Sequence, residues 1–187
     1  MRVSKPPEER KKEMIDTAMR LFAQKGYEAT TMTDIAKEMK VVSGLCYRYF
    51  RSKEELYQEA LNSYAEECAA PMIQILNKDL PSVMDYMVRL TEHFRDTDGK
   101  EKYHAFFHRE GNEMFHKQLE LRMLSLLEQP VLDMVKRWEE KGFIDEEYSR
   151  SLALFILYGQ MPIINDDTLT TEVKLQALSK FIEKLLR

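Results

Sequence analysis

Between Thr30 and Phe50 the chain reads TTMTDIAKEMKVVSGLCYRYF, and the small, aromatic and basic residues of this stretch are spaced so that they could do chemistry. Val42, Cys46, Tyr49 and Phe50 recur at helical spacing as an inward stripe, which turns Gly44, Leu45, Tyr47 and Arg48 the other way. An Arg and a Tyr displayed on a short helix can donate to phosphate oxygens and to the edges of base pairs. The other candidate chemistry is metal binding, because His104 and His108 lie one helical turn apart, with His93 and His116 near in sequence. No third ligand stands at fixed spacing and Phe106-Phe107 intervenes, so these histidines read as surface or core residues, with no metal and no cofactor expected. Catalysis has less to stand on. There is no Ser/His/Asp ordering, no Gly-rich phosphate loop and no HExxH, so an all-helical enzyme is the weakest of the readings.

The Arg and Tyr need two elements to position them. Thr31 and Asp34 occupy N-cap and N3 positions, an acidic capping box opening a helix at Met32. Met32, Ile35, Ala36 and Met39 form its apolar stripe, and residues 40–42 make a turn into the second helix. Two short helices across such a turn describe a DNA-binding helix-turn-helix.

The segment Gly26 to Tyr57 resembles the TetR/AcrR family of bacterial transcriptional repressors. The resemblance is carried by Gly26-Tyr27, Thr30-Thr31, Ile35-Ala36, Gly44, Tyr47-Arg48-Tyr49-Phe50 and Ser52-Lys53-Glu54-Glu55-Leu56, in about the first third of the chain. It implies that Thr31 holds a phosphate at a helix N-terminus, that Tyr47, Tyr49 and Lys53 contact the DNA backbone, and that Ser43, Gly44, Leu45 and Arg48 reach base edges. Gly44 would let the helix approach the groove closely. Three positions depart from the family pattern: Lys40 where Gly is common, Val42 where a Ser cap is common, and Leu45 where Thr is common. Lys40 can add a phosphate contact. A lost cap costs about 1 kcal/mol unless Ser43 caps one position later.

Composition sets the wider limits. The 187 residues are 32% charged, with six Gly, six Pro and few β-branched runs, which predicts an all-α chain of about nine helices. A helix-turn-helix domain over 1–56 precedes a helical ligand-binding and dimerisation domain over 57–187. No apolar run reaches membrane-span length and the start has no secretory h-region, so a cytoplasmic protein with no membrane partner is expected. Cys46 and Cys68 lack metal-ligand spacing and read as free thiols. Through Lys53 there are 12 Lys and Arg against 7 Asp and Glu, net +5; the remainder has 16 against 25, net −9. A basic head on an acidic body fits a head that meets phosphates.

The first helix is expected over 7–25, with Met14, Ala18, Leu21 and Phe22 buried and Gly26 as its stop, after a basic entry of Arg2, Lys5, Arg10, Lys11 and Lys12. A fourth helix opens at Ser52, capped by Ser52 and Glu55, and runs on to Pro71, where a kink or break is expected. Further helices are expected near 81–95, 101–115, 118–141, 146–164 and 171–186.

The resemblance implies a ligand cavity in the body. Met72, Met87, Phe94, Phe106, Phe107, Met123, Met134 and Trp138 are the soft and aromatic residues chosen to line it. It also implies a homodimer through the last two helices, on Leu152, Phe155, Ile156, Gly159, Leu175, Leu178, Phe181 and Ile182. The expected protein is a repressor that binds a palindromic double-stranded DNA operator as a homodimer and is released by a small apolar effector, neutral or cationic because the body is acidic. A helix-turn-helix protein without an effector is the alternative.

Overall fold

The computed structural model describes residues 5–97, 102–144, 149–166 and 168–185. Ten helical segments, and no strand, lie among them. They are α1 (Pro7–Lys25), α2 (Met32–Glu38), α3 (Ser43–Tyr49), α4 (Lys53–Leu76), α5 (Val83–Thr97), α6 (His104–Phe107), α7 (Glu113–Glu140), α8 (Ser149–Gly159), α9 (Met161–Ile164) and α10 (Thr171–Leu185). The chain forms two compact units, one of residues 1–65 with 102–119, the other of 66–101 with 120–187.

In the first unit, α1 starts on Pro7 with Glu8 and Glu9 in its first turn and stops at Gly26, whose φ of 92° lets its N–H bond back to the Phe22 carbonyl. Met14, Ala18, Met19 and Phe22 are fully buried, so α1 is the spine of this unit. An aromatic cluster fills it. Phe22 meets Tyr27 at 5.1 Å and Phe106 at 6.4 Å, and Phe115 packs on Tyr27 and Tyr57 at 5.3 and 5.2 Å. Such tilted and edge-on pairs add about 0.5–1.5 kcal/mol each beyond the area they bury. Residues 102–119 are therefore structural members of the unit that carries α2 and α3. Polar ties reinforce this: Arg109 donates to the Ala23 carbonyl at 2.8 Å, and Lys102 pairs with Asp16 at 2.8 Å. Tyr57 donates to Gln118 at 3.0 Å, and burial pushes its phenol well above the ordinary tyrosine range.

The single helix expected over 101–115 is not formed. α6 ends at Phe107, and Gly111 (φ 87°) turns the chain into α7, which opens at Glu113 rather than near 118. Asn112 fixes this turn by donating its side-chain amide to the Phe106 carbonyl at 2.6 Å, and Glu113 accepts from Gly111 N–H at 2.9 Å. Pro71 does not end α4, which continues to Leu76 with the exposed proline inside it and without the bond a backbone N–H would make to the carbonyl one turn back.

In the second unit, Leu76, Leu80, Tyr86, Leu124, Val131, Met134, Val135, Trp138, Ala153 and Leu157 are core residues. α5 is capped by Ser82, whose hydroxyl accepts from Asp85 N–H at 3.3 Å and donates to its carboxylate at 2.6 Å. Tyr86 donates its hydroxyl to the Lys78 carbonyl and accepts from Leu80 N–H at 3.2 Å, pinning the α4–α5 connection. Arg95 on α5 pairs with Glu172 on α10 at 3.1 Å. The helix expected over 146–164 is divided at Gln160 into α8 and α9, and residues 146–148 and 186 of the expected spans lie outside the described residues. No described helix is long and apolar enough to cross a membrane.

Candidate nucleic-acid interface

α2 is held from its own first turn. Thr31 Oγ1 accepts from Asp34 N–H at 3.1 Å, and the Asp34 carboxylate accepts from Thr31 N–H at 2.8 Å and from the Thr31 hydroxyl at 2.7 Å. Lys25 stands 3.0 Å away. The Thr31 hydrogen bonds, and then Lys25, hold the Asp34 carboxyl far below the usual carboxylate range. The Thr31 hydroxyl is thus engaged within the cap, so a phosphate bound there would have to draw it from Asp34. With Met32, Ile35 and Ala36 buried, α2 is a firm platform.

α3 sits on that platform by different means. Cys46 and Phe50 are 0% and 1% exposed and anchor it. Burial pushes the Cys46 thiol upward, which makes it an inert packing group. Val42, expected on the inward stripe, is instead 65% exposed at the N-cap, and no side chain caps the helix. Ser43 does not supply the cap, because it is already the first helical residue. The preceding turn passes through Lys40 at φ 55°, a left-handed conformation that glycine adopts more readily.

The outward face of α3 carries exposed Ser43, Gly44, Tyr47 and Arg48, with Leu45 and Tyr49 half-buried and the Arg48 guanidinium 5.9 Å from the Tyr49 ring. A Cβ at Gly44 would meet nothing within 4 Å, so no contact inside the chain requires glycine there. The Lys53 ammonium donates to the Tyr27 carbonyl at 2.9 Å and lies 4.1 Å over the Tyr27 ring, while Tyr27 donates to Glu54 at 2.7 Å. Burial and the Glu54 hydrogen bond raise the Tyr27 phenol above the ordinary range.

The charge on this unit is also sorted. Lys5, Arg10 and Lys11 of the entry segment pair with Glu9, Glu13 and Glu59, whereas Lys12 is exposed and Arg2 lies outside the described residues. Arg20 is tied to Glu38 at 2.8 Å. Lys37, Lys40, Arg48 and Arg51 are exposed on or beside α2 and α3 and form no ion pair among the described residues. Lys37 and Arg51 were not singled out from the sequence; their place on the outer side of α2 and just after α3 was the available signal.

The residues expected to meet an effector fall in both units. Phe106 and Phe107 are buried in the first, Phe107 stacking on Tyr64 at 5.5 Å. Met134 and Trp138 are core residues of the second, where Met72, Met87, Phe94 and Met123 are half-buried. Of the residues expected at a dimer interface, Phe155 and Phe181 are 60% and 53% exposed and Gly159 is exposed, Leu152 and Ile156 are half-buried, and Leu175, Leu178 and Ile182 face the chain's own core. His104 stacks on His108 at 4.1 Å, and His116 lies 4.6 Å from His108. Among the described residues, no three His, Cys, Asp or Glu side chains are grouped to hold a metal ion.

Known proteins share these features. Residues 14–60 match the family model described as bacterial regulatory proteins, tetR family. The chain is 41% identical over 83 residues to the HTH-type transcriptional regulator YuxN of Bacillus subtilis, covering 44% of this chain and 28% of that one. It is 30% identical over 111 residues to the HTH-type transcriptional repressor KstR2 of Rhodococcus jostii, covering 57% and 54%. The chain thus spans about a quarter to about half the length of such relatives. Among solved structures, a TetR-family regulator of Mesorhizobium loti is similar over 97% of this chain and 98% of that one, with a TM-score of 0.70 at 17% identity. A transcriptional regulator of Saccharomonospora viridis solved with choline is similar over 94% and 96%, with a TM-score of 0.61 at 19% identity. The helix-turn-helix segment, residues 14–60, is thus similar to the tetR-family model, and the chain shares the all-helical fold of the solved TetR-family regulators.

Proposed function

We propose that this chain is a TetR-family regulator that represses transcription by binding a palindromic operator as a homodimer, and that a small apolar effector releases it. The observation that carries the DNA-reading part is the outer face of α3, where Gly44, Tyr47 and Arg48 stand exposed over buried Cys46 and Phe50. Arg48 can pair with the two acceptors of a guanine edge, Leu45 can touch only an apolar edge such as a thymine methyl, and Gly44 leaves room for close approach. Lys37, Lys40 and Arg51 supply the charge that meets phosphates.

One seven-residue helix reads few base pairs, so a symmetric pair of half-sites is the physical route to a specific site. Exposed Phe155 on α8 and Phe181 and Leu185 on α10 support the pairing of two copies. Effector release works by a population shift: the ligand favours a conformation in which α4 moves and the two α3 helices lose their spacing, which requires unequal affinity for the two states. For KstR2 repression is the printed role, and the regulator from Saccharomonospora viridis was solved with choline. These support a repressor and a small-molecule site as the first expectations for this chain.

Selection of bound sequences from a random DNA pool by the purified protein, at stated salt, tests the proposal. An enriched inverted repeat bound by two chains per duplex is expected. Binding without an enriched motif would reject sequence reading by α3.

A further inference from the structure

A buried N–H that lacks an acceptor carries its full desolvation penalty, and most such groups in folded proteins are paired. Trp138, the single tryptophan of the chain, is 2% exposed on α7, and its indole N–H has no hydrogen-bond partner among the described residues. The Nε–H of neighbouring Arg137 is buried and equally without one. Two neighbouring polar groups are engaged elsewhere. Arg137 spends Nη2 on the Leu76 carbonyl, and Tyr86, whose ring meets the indole edge-on at 5.7 Å, spends its hydroxyl on Lys78 and Leu80. One turn before Trp138 lies Met134, 3% exposed, and Met72 packs against the same core. Methionine side chains repack at little cost, so this core can make room around the indole.

We infer that the effector carries a hydrogen-bond acceptor, a carbonyl or carboxylate oxygen on an apolar body, and that the Trp138 indole N–H binds it. The inference rests on the effector-released reading above and narrows its ligand class. The acidic exterior of the body favours cations, but both orphaned groups inside are donors and one belongs to a guanidinium, so the interior selects acceptors and disfavours a quaternary ammonium.

Three probes of matched chain length test this on the full-length protein, below their micelle concentrations: decanoate, methyl decanoate and decyltrimethylammonium. Affinity by calorimetry, release of the selected operator, and the indole N–H hydrogen-bonding band in ultraviolet resonance Raman spectra are read together. Expected are tighter binding of both acceptor probes than of the ammonium, a shift of the Trp138 band on binding, and a loss of about three- to tenfold in acceptor affinity for Trp138→Phe with the ammonium unaffected. If the acceptor probes release DNA with the band unmoved and Trp138→Phe binding as the parent does, the indole site is wrong and the effector reading stands. Preferred binding of the ammonium overturns the ligand class. If no probe binds or releases DNA, both fall. Should Trp138→Phe fail to fold, the band shift in the parent protein decides alone.

Discussion

α2 and α3 are both seven residues long and pack against each other, yet they are stabilised in opposite ways. α2 carries a two-way capping box, a buried stripe and an ordinary turn at its end. α3 has an exposed valine at its cap, glycine in its first turn and a left-handed lysine before it, and stays helical because Cys46 and Phe50 are buried. The difference teaches where each helix answers to the fold and where it does not. Every polar choice in the α2 cap is used inside the chain. Ser43, Gly44 and Tyr47 of α3 are exposed instead, and that face is the one proposed above to meet DNA.

Substitutions break this comparison in order of size. Phe50→Ala removes the anchor of α3 and should cost about 3–5 kcal/mol in denaturant unfolding; a cost near zero would mean that α3 does not depend on packing. Thr31→Ala should lose about 1 kcal/mol by removing the α2 cap. Val42→Ser should do the reverse, adding about 1 kcal/mol by giving α3 the cap it lacks; an unchanged midpoint would show that the α3 N-terminus is already satisfied. Lys40→Gly should be neutral to mildly stabilising, because relief of the left-handed strain is offset by the added freedom of the unfolded chain, each about 1 kcal/mol. The smallest effect is one of pH. Asp34 has a folded-state value depressed below its unfolded one, so its contribution is complete above the ordinary carboxylate range near 4 and is lost as pH falls through the depressed value. Asp34→Asn should therefore flatten the acid limb of the melting curve and leave the melting temperature at pH 7 to pH 8 with a constant offset.

What was legible in the sequence is what short-range chemistry decides. Pro7, Gly26, the Thr31–Asp34 box and the stripes of α1 and α2 are local signals, and the structure keeps them. The interruption after Phe107 was missed because it turns on Gly111 and on Asn112 reaching back to a carbonyl, while the apolar periodicity runs through both sides of it. Val42 was misread for the converse reason: it fits an apolar stripe by spacing but stands at the helix cap, where the stripe has not yet turned inward. The seat of the Lys53 ammonium on the Tyr27 carbonyl and ring was not legible, because only folding brings residues 26 positions apart together. Charge counts in the head likewise could not separate Arg20, which Glu38 holds, from Arg48 and Arg51.

The central claim is that Arg48 reads sequence while the fold has no need of it. The direct measurement compares Arg48→Ala with the parent protein on the selected operator and on random DNA of the same length, at one salt concentration, after melting curves have established that both are equally folded. The account predicts stability within about 0.5 kcal/mol of the parent. It also predicts a loss of about 1–3 kcal/mol of operator preference for each half-site, with random-DNA binding reduced far less. Equal losses on operator and random DNA would contradict it, leaving Arg48 as one more phosphate contact.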